Sequence, residues 1–308
     1  MNNPGSKFEI IHEIVSQEDS LLNVKELCEI SGVSRSGYYS WLKAADARDQ
    51  REEQDKKDFA LILEAYKHRG YSKGARGIHM RLLHTGVVMN TKKIRRLMAK
   101  YKLYCPIRKI NPYRQMARAM QTNTIADNLV NREFRQHGPR TILLTDITYI
   151  RLDKDFVYLS VIIDAYTKQV LSYVLSDSLE LDFVLQTVEQ LIDVYGDEIL
   201  TDTLIHSDQG CHYTSIKFRE ILADAGLRQS MSRRGNCWDN APQESFFGHM
   251  KDELKPLSEK WLTIEDVKAS IDDWIDYYNN ERYQWDLAKL SPNEFYNYIM
   301  DGEYPLIK

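Results

Sequence analysis

Long apolar runs are missing from this 308-residue chain, so no segment reads as a membrane span. Met1-Asn2-Asn3-Pro4-Gly5-Ser6 lacks the charged and apolar blocks of a secretory leader. Cysteine is scarce: Cys28, Cys105, Cys211 and Cys237 are scattered without Cys-x-x-Cys spacing. That argues against a disulfide framework and a structural zinc site, and fits reduced thiols in a cytoplasm. No internal repeat and no glycine-rich phosphate loop occurs, so no ATP-driven step is implied. Acidic residues are missing altogether between Lys67 and Arg118, against fifteen basic ones. Residues 1–120 hold 23 Lys+Arg and 13 Asp+Glu, and residues 121–308 hold 18 and 32, so the net charge of −4 conceals halves of +10 and −14. A basic half suits phosphate contact and an acidic half suits cations, although part of the basic stretch also reads as a disordered linker.

Among the acidic residues, three stand where a metal site would need them. Asp146 lies in the β-branched and aromatic run Leu143-Leu144-Thr145-Asp146-Ile147-Thr148-Tyr149-Ile150, which predicts a buried strand. Asp208 ends a second short strand, Thr203-Leu204-Ile205-His206-Ser207, and Glu244 follows Asp239-Asn240-Ala241-Pro242, a helix start. Between Asp208 and Glu244 lie 35 residues, and Lys251 comes seven after Glu244, about two helical turns along one face. Two strand-end carboxylates and one helix carboxylate can hold a pair of divalent ions with positions open for phosphate oxygens. Each residue alone also has a plain reading as a turn former or a helix-dipole partner, and 45 acidic residues supply many trios.

The surrounding motifs separate these readings. Thr145-Asp146-Ile147-Thr148-Tyr149, His206-Ser207-Asp208-Gln209-Gly210 with Tyr213-Thr214-Ser215, and Ser230 to Ala241 leading into Glu244-Ser245-Phe246-Phe247 resemble the DDE core of retroviral-integrase-like transposases. They are most similar to the OrfB products of the IS3 group of insertion sequences, in its IS150 branch. The resemblance implies an α/β fold: an RNase H-like core with a mixed five-stranded sheet flanked by helices, preceded by all-α helix-turn-helix modules. It implies that Asp146, Asp208 and Glu244 are catalytic and bind two Mg²⁺ or Mn²⁺ ions, and that Lys251 contacts the DNA end. Implied partners are terminal inverted repeats and target DNA, a second copy of the chain at least, and an OrfA protein or an OrfA–OrfB fusion. The implied location is the bacterial cytoplasm, on the nucleoid. No His-His-Cys-Cys zinc module and no sustained leucine-zipper heptad occurs in the chain. The alternatives are a DNA-binding regulator with an idle core acting with OrfA, and an RNase H-type nuclease, which the basic N-terminal modules suit less.

Along the chain, residues 1–45 read as a helix-turn-helix module, with Ser34 capping the second helix and Arg35 offered to DNA. Residues 46–105 read as a connecting helix and a second, basic helix-turn-helix region, with Arg76, Lys92, Lys93, Arg95 and Arg96 facing DNA. A basic linker is expected at 106–137, the core at 138–258, and a C-terminal helical extension bracing it at 259–308, with Arg282 offered to DNA. In the core, strands are expected at 142–150, 156–164 and 168–175, helices at about 181–195 and 215–225, and short strands before Asp208 and at 227–231. Asp164 reads as a structural turn residue, and His206 and His212 as packing or DNA contacts. Arg233, Arg234 and Asn236, in the loop before Glu244, are candidates to grip the strand being cut.

Overall fold

The computed structural model describes residues 4–17, 22–70, 73–105, 137–199, 203–232 and 241–306. The chain divides into two compact units, Met1–Leu63 and Glu64–Lys308.

In the first unit, α1 (Pro4–Val15), α2 (Val24–Ser31) and α3 (Arg35–Lys43) bury Phe8, Ile11, Leu27, Cys28 and Tyr38 together. Asn23 and Glu26 form a reciprocal capping box on α2, and Gly32, at φ 64°, ends it in the left-handed conformation that glycine adopts without a Cβ clash. Ser34 then caps α3 by accepting from the Gly37 N–H. This leaves Ser34, Arg35, Ser36 and Tyr39 on the outside, the helix-turn-helix arrangement expected from the sequence.

A long helix, α4 (Ala45–Lys67), leads to the second unit. There α5 (Ala75–His84) and α6 (Thr91–Lys100) bury Ile78, Met80, Leu82, Ile94, Leu97 and Met98, while Lys92, Arg95 and Arg96 stay exposed. Asn90 caps α6 through the Lys92 N–H at 2.8 Å.

The centre of this unit is a five-stranded sheet in the order β3-β2-β1-β4-β5. Strands β1 (Ile142–Leu152), β2 (Asp155–Asp164) and β3 (Val170–Ser176) form an antiparallel meander, and β4 (Leu204–Ser207) and β5 (Arg228–Met231) add on in parallel. Strands β1 and β2 carry apolar side chains on both faces because both faces are covered. On one face α7 (Asp182–Tyr195) and α8 (Ile216–Asp224) pack over Leu143, Ile162, Leu171 and Ile205. On the other, α9 (Ala241–Ser258) and α10 (Ile264–Asn280) pack over Ile150, Leu159, Val161 and Ile163. Phe246 of α9 meets Trp274 and Tyr278 of α10 edge-on, with ring centroids 5.4 and 5.0 Å apart. The Thr263–Asp266 capping box opens α10, and α11 (Pro292–Asp301) is the last helix.

Asp164 is fully buried and serves the β2–β3 turn, accepting from Tyr166 N (2.9 Å), Thr167 Oγ1 (2.9 Å) and Arg140 N (3.2 Å). The α5–α6 pair is tied to the C-terminal helices by charge. Glu281 takes His68, Arg69 and Arg81, and Arg69 also reaches Asp273 and Asp276. His84 pairs with Glu294 at 3.0 Å and stacks on Tyr283. Among the described residues, no helix is long and apolar enough to cross a membrane.

Candidate active site

The site begins with strand register. Leu144 on β1 lies opposite His206 on parallel β4. Two residues further along each strand come Asp146 and Asp208, so the register brings these carboxylates side by side where β4 ends. Leu144 and Ile150 face the α9 side of the sheet, and by the two-residue period of a strand Asp146 shares that side.

Helix α9 covers this face because Gln243, Phe246, Phe247, Met250, Glu253 and Leu254 form one buried stripe. Glu244 and Lys251 lie almost in line along one border of that stripe, since seven residues rotate a helix to within about 20° of its starting azimuth. The Gln243 amide donates to the carbonyl of Val161, the β2 residue paired with Asp146, at 3.4 Å. That bond seats the first turn of α9, and Glu244 with it, over the carboxylate strands.

The electrostatics agree with this convergence. Burial, chiefly, and then the Asp208 and Glu244 charges push the Asp146 carboxyl up to about 7, opposed by the Ile147 N–H and by Lys251. The Lys251 ammonium is in turn lowered by burial and raised by Asp146. Asp208, Glu244 and Lys251 therefore all act on Asp146. Asp208 is exposed, and its Oδ1 accepts from the Gly210 N–H at 2.8 Å. A Cβ at position 210 would stand 2.9 Å from that oxygen and push the carboxylate away from its own loop. Gln209 donates to the Ser232 carbonyl at 3.2 Å and ties this loop to the end of β5.

The donor set is three carboxylates, hard oxygen ligands of the kind magnesium and manganese take. Among the described residues, however, no three His, Cys, Asp or Glu side chains are drawn tightly enough together to hold an ion. Both histidines near Asp208 are structural: His206 is fully buried against Ser230 Oγ at 3.0 Å, and the His212 ring lies 2.8 Å from the Leu179 carbonyl oxygen.

Of the remaining sequence-derived candidates, Arg35, Arg76, Lys92, Arg95 and Arg96 are exposed and Lys93 is half-buried. Arg233, Arg234 and Asn236 lie outside the described residues, as does most of the basic linker. Arg282, offered to DNA by the sequence, is engaged elsewhere: its Nη2 and Nε donate to the buried Glu253 carboxylate at 2.9 and 3.1 Å. Gln243 carries no functional signal in the sequence beyond being an amide beside Glu244 on a largely apolar stripe. Tyr213 likewise has no role legible in the sequence; its ring is buried beneath the site, packed on Phe218 at 5.3 Å, and burial and the Asp146 charge raise its phenol well above the ordinary range.

Two integrase core domain families match residues 136–237 and 225–292, and an HTH-like domain family matches residues 53–110. The InsK protein of insertion sequence element IS150 from Escherichia coli K12 is 32% identical over 272 residues, covering 88% of this chain and 93% of that protein. The 31 kDa protein of insertion element IS600 from Shigella sonnei is 30% identical, covering 87% and 97%. Among solved structures, the HTLV-2 integrase catalytic core domain in complex with magnesium aligns at 17% identity and a TM-score of 0.43, covering 53% of this chain and 99% of that one. With an integrase core behind a helix-turn-helix-like domain and relatives of this identity across nearly their whole length, the chain belongs to the IS3-family insertion-sequence transposases, of the IS150-like OrfB type, and is a polynucleotidyl transferase acting on DNA.

Proposed function

We propose that this transposase cleaves and rejoins the ends of its element at a site formed by Asp146, Asp208 and Glu244, and inserts the ends into target DNA. The observation that carries the reading is the β1–β4 register, which sets Asp146 beside Asp208 on the face where α9 delivers Glu244 and Lys251. The three carboxylates would hold two divalent ions, Mg²⁺ or Mn²⁺. Bound there, such ions supply an activated water or 3′-hydroxyl and stabilise the oxygen that leaves.

The protein's own groups do the rest. The Ile147 N–H fixes the Asp146 carboxylate by donating to its Oδ1 at 2.8 Å. The Gly210 N–H likewise fixes Asp208 by donating to its Oδ1 at 2.8 Å. Lys251 places a positive charge about two helical turns from Glu244, suited to a phosphate of the element end. Arg35, Arg76, Lys92, Lys93, Arg95 and Arg96 contribute DNA contacts from the helical modules, and Arg233, Arg234 and Asn236 from the loop before Glu244. Pairing two element ends calls for at least two copies of the chain, and an OrfA protein is the expected further partner.

The test is incubation of the purified protein with labelled terminal-repeat duplex and Mn²⁺, with and without chelator. Strand cleavage or joining that disappears on chelation is the expected result. DNA that is bound and never cut, even with OrfA present, would instead establish an idle core.

Gly210→Ala is expected to lower the cleavage rate by at least about tenfold, because the new Cβ displaces a carboxylate that must be placed within about an ångström. The loop is at the surface, so the thermal midpoint should move by no more than a few degrees. A variant cutting at the wild-type rate would show that the Asp208 rotamer is not critical.

A further inference from the structure

A cleft of about 520 Å³ lies beside the carboxylate site on the same face of the sheet. Its floor includes Leu144 and Ala165, and its walls are Arg76 of α5, Ser245 and His249 of α9, and the turn after α10. A second cavity of about 220 Å³ shares Arg76, Arg282 and Tyr283 with it, so the two adjoin along α5. The larger volume is in the range of sites for molecules of nucleotide size.

Trp285 stands at the lip of the cleft, 47% exposed, whereas Trp261 and Trp274 are buried. The turn presenting it is strained: Ala288 and Lys289, at φ 54° and 69°, are consecutive left-handed residues without a glycine. Buried Leu287 and Leu290 anchor that turn, and the Lys289 N–H donates to the Gln284 carbonyl at 3.0 Å. Strain of this kind persists only where neighbouring structure enforces it.

Two cations flank the indole. The Arg76 guanidinium and the Lys289 ammonium each lie 5.5 Å from a Trp285 ring centroid, and neither meets a carboxylate among the described residues. Where a cation closes tightly on an indole in this protein, as Arg48 does on Trp41, the separation is 3.9 Å. The looser seating at Trp285 leaves both cations able to turn to another partner. An exposed indole with two available cations is a site for a stacked base and its phosphate, largely indifferent to sequence.

Position relates the cleft to the reaction. Leu144 is two residues before Asp146 on the same side of β1, about 7 Å along the strand, or roughly one nucleotide step. The first turns of α9 stand between the sites, with Glu244 on one border and Ser245 and His249 on the other. A strand passing over the start of that helix reaches both.

We propose, resting on the transposase reading above, that this cleft holds an unpaired nucleotide of the DNA strand being processed, its base on Trp285 and its phosphate between Arg76 and Lys289. Fluorescence anisotropy with the full chain and a labelled oligothymidylate of about 20 nucleotides tests it, beside a mixed-sequence duplex of the same length. Trp285→Ala is expected to weaken single-strand binding about tenfold and Trp285→Phe less than about threefold, with duplex binding changed less than about twofold. Arg76→Ala, an exposed change that spares the turn, should weaken the single strand several-fold. Unchanged single-strand binding in both alanine variants overturns the proposal, as does an equal loss for single strand and duplex. Cleavage by the wild-type protein, measured separately with Mn²⁺, distinguishes the two readings. Metal-dependent cleavage together with normal Trp285→Ala binding removes the cleft alone. Selective loss of single-strand binding in a protein that never cuts removes the reaction alone.

Discussion

Asp146→Asn is expected to lower strand cleavage by at least about 10³-fold while raising the thermal midpoint of the metal-free protein. Asparagine matches aspartate in shape and keeps the oxygen that accepts from the Ile147 N–H. It removes a charge held largely away from water beside Asp208 and Glu244. On the proposed reading the substitution removes a metal ligand and with it stabilisation needed in the transition state, and interactions of that kind are each worth several kcal/mol. The stability effect has the opposite sign. Folding raises the Asp146 carboxyl from 3.8 to about 7, so the folded state binds the proton more tightly than the unfolded chain. The cost of the charged form is therefore fully present above about pH 7 and fades as pH falls toward 3.8. The gain from asparagine should be several degrees at neutral pH and nearly vanish at pH 4. Adding Mn²⁺ should reverse the order, stabilising the wild type far more than the variant. Thermal scans with and without Mn²⁺, beside the cleavage assay, read both effects. Equal stabilisation of the two proteins by Mn²⁺, or wild-type cleavage by the variant, would remove Asp146 from the metal site.

Arg282→Ala should cost about 3–5 kcal/mol of unfolding free energy. Glu253 is 9% exposed, on the buried stripe of the helix that carries Glu244. Its carboxylate is satisfied by Arg282 through Nη2 and Nε and by the Trp274 indole N–H at 2.9 Å. Removing the guanidinium leaves a buried carboxylate with one neutral donor and a neighbouring lysine, Lys73, itself lowered to about 8 by burial. Lysine at position 282 restores the charge without the two-pronged geometry and should recover only part of the loss. Urea titrations of the three proteins measure this directly. A change below about 1 kcal/mol, accompanied by weaker DNA binding, would instead make Arg282 a DNA contact, as its sequence context first suggested.

Arg282 illustrates what a sequence conceals. Its neighbours Tyr278-Asn279-Asn280-Glu281 are polar, so an exposed basic residue was the natural expectation. Its partner lies 29 residues earlier, on α9. The docking of α5 on the C-terminal helices was equally hidden, since Arg81 and Glu281 meet across 200 residues. Within the acid-free stretch from Lys67 to Arg118, Arg69 and Arg81 are spent on carboxylates while Arg76 faces a cleft. Charge alone does not report a partner so distant in the chain.

What the sequence determined by itself was everything governed by near neighbours. Capping by Ser34, Asn90 and Thr263 follows from side-chain oxygens two or three residues from the amides they serve. Strand and helix periodicity likewise laid out the meander, the following helices and the shared border of Glu244 and Lys251. Only the tertiary structure decided that β4 lies parallel to β1 in the register that puts Asp208 beside Asp146, and that α9 covers that face of the sheet. It alone decided that Arg76 and Trp285, some 200 residues apart, flank one cleft. Those placements come from burying apolar faces of segments far apart in the chain, and no local pattern encodes which distant faces will meet.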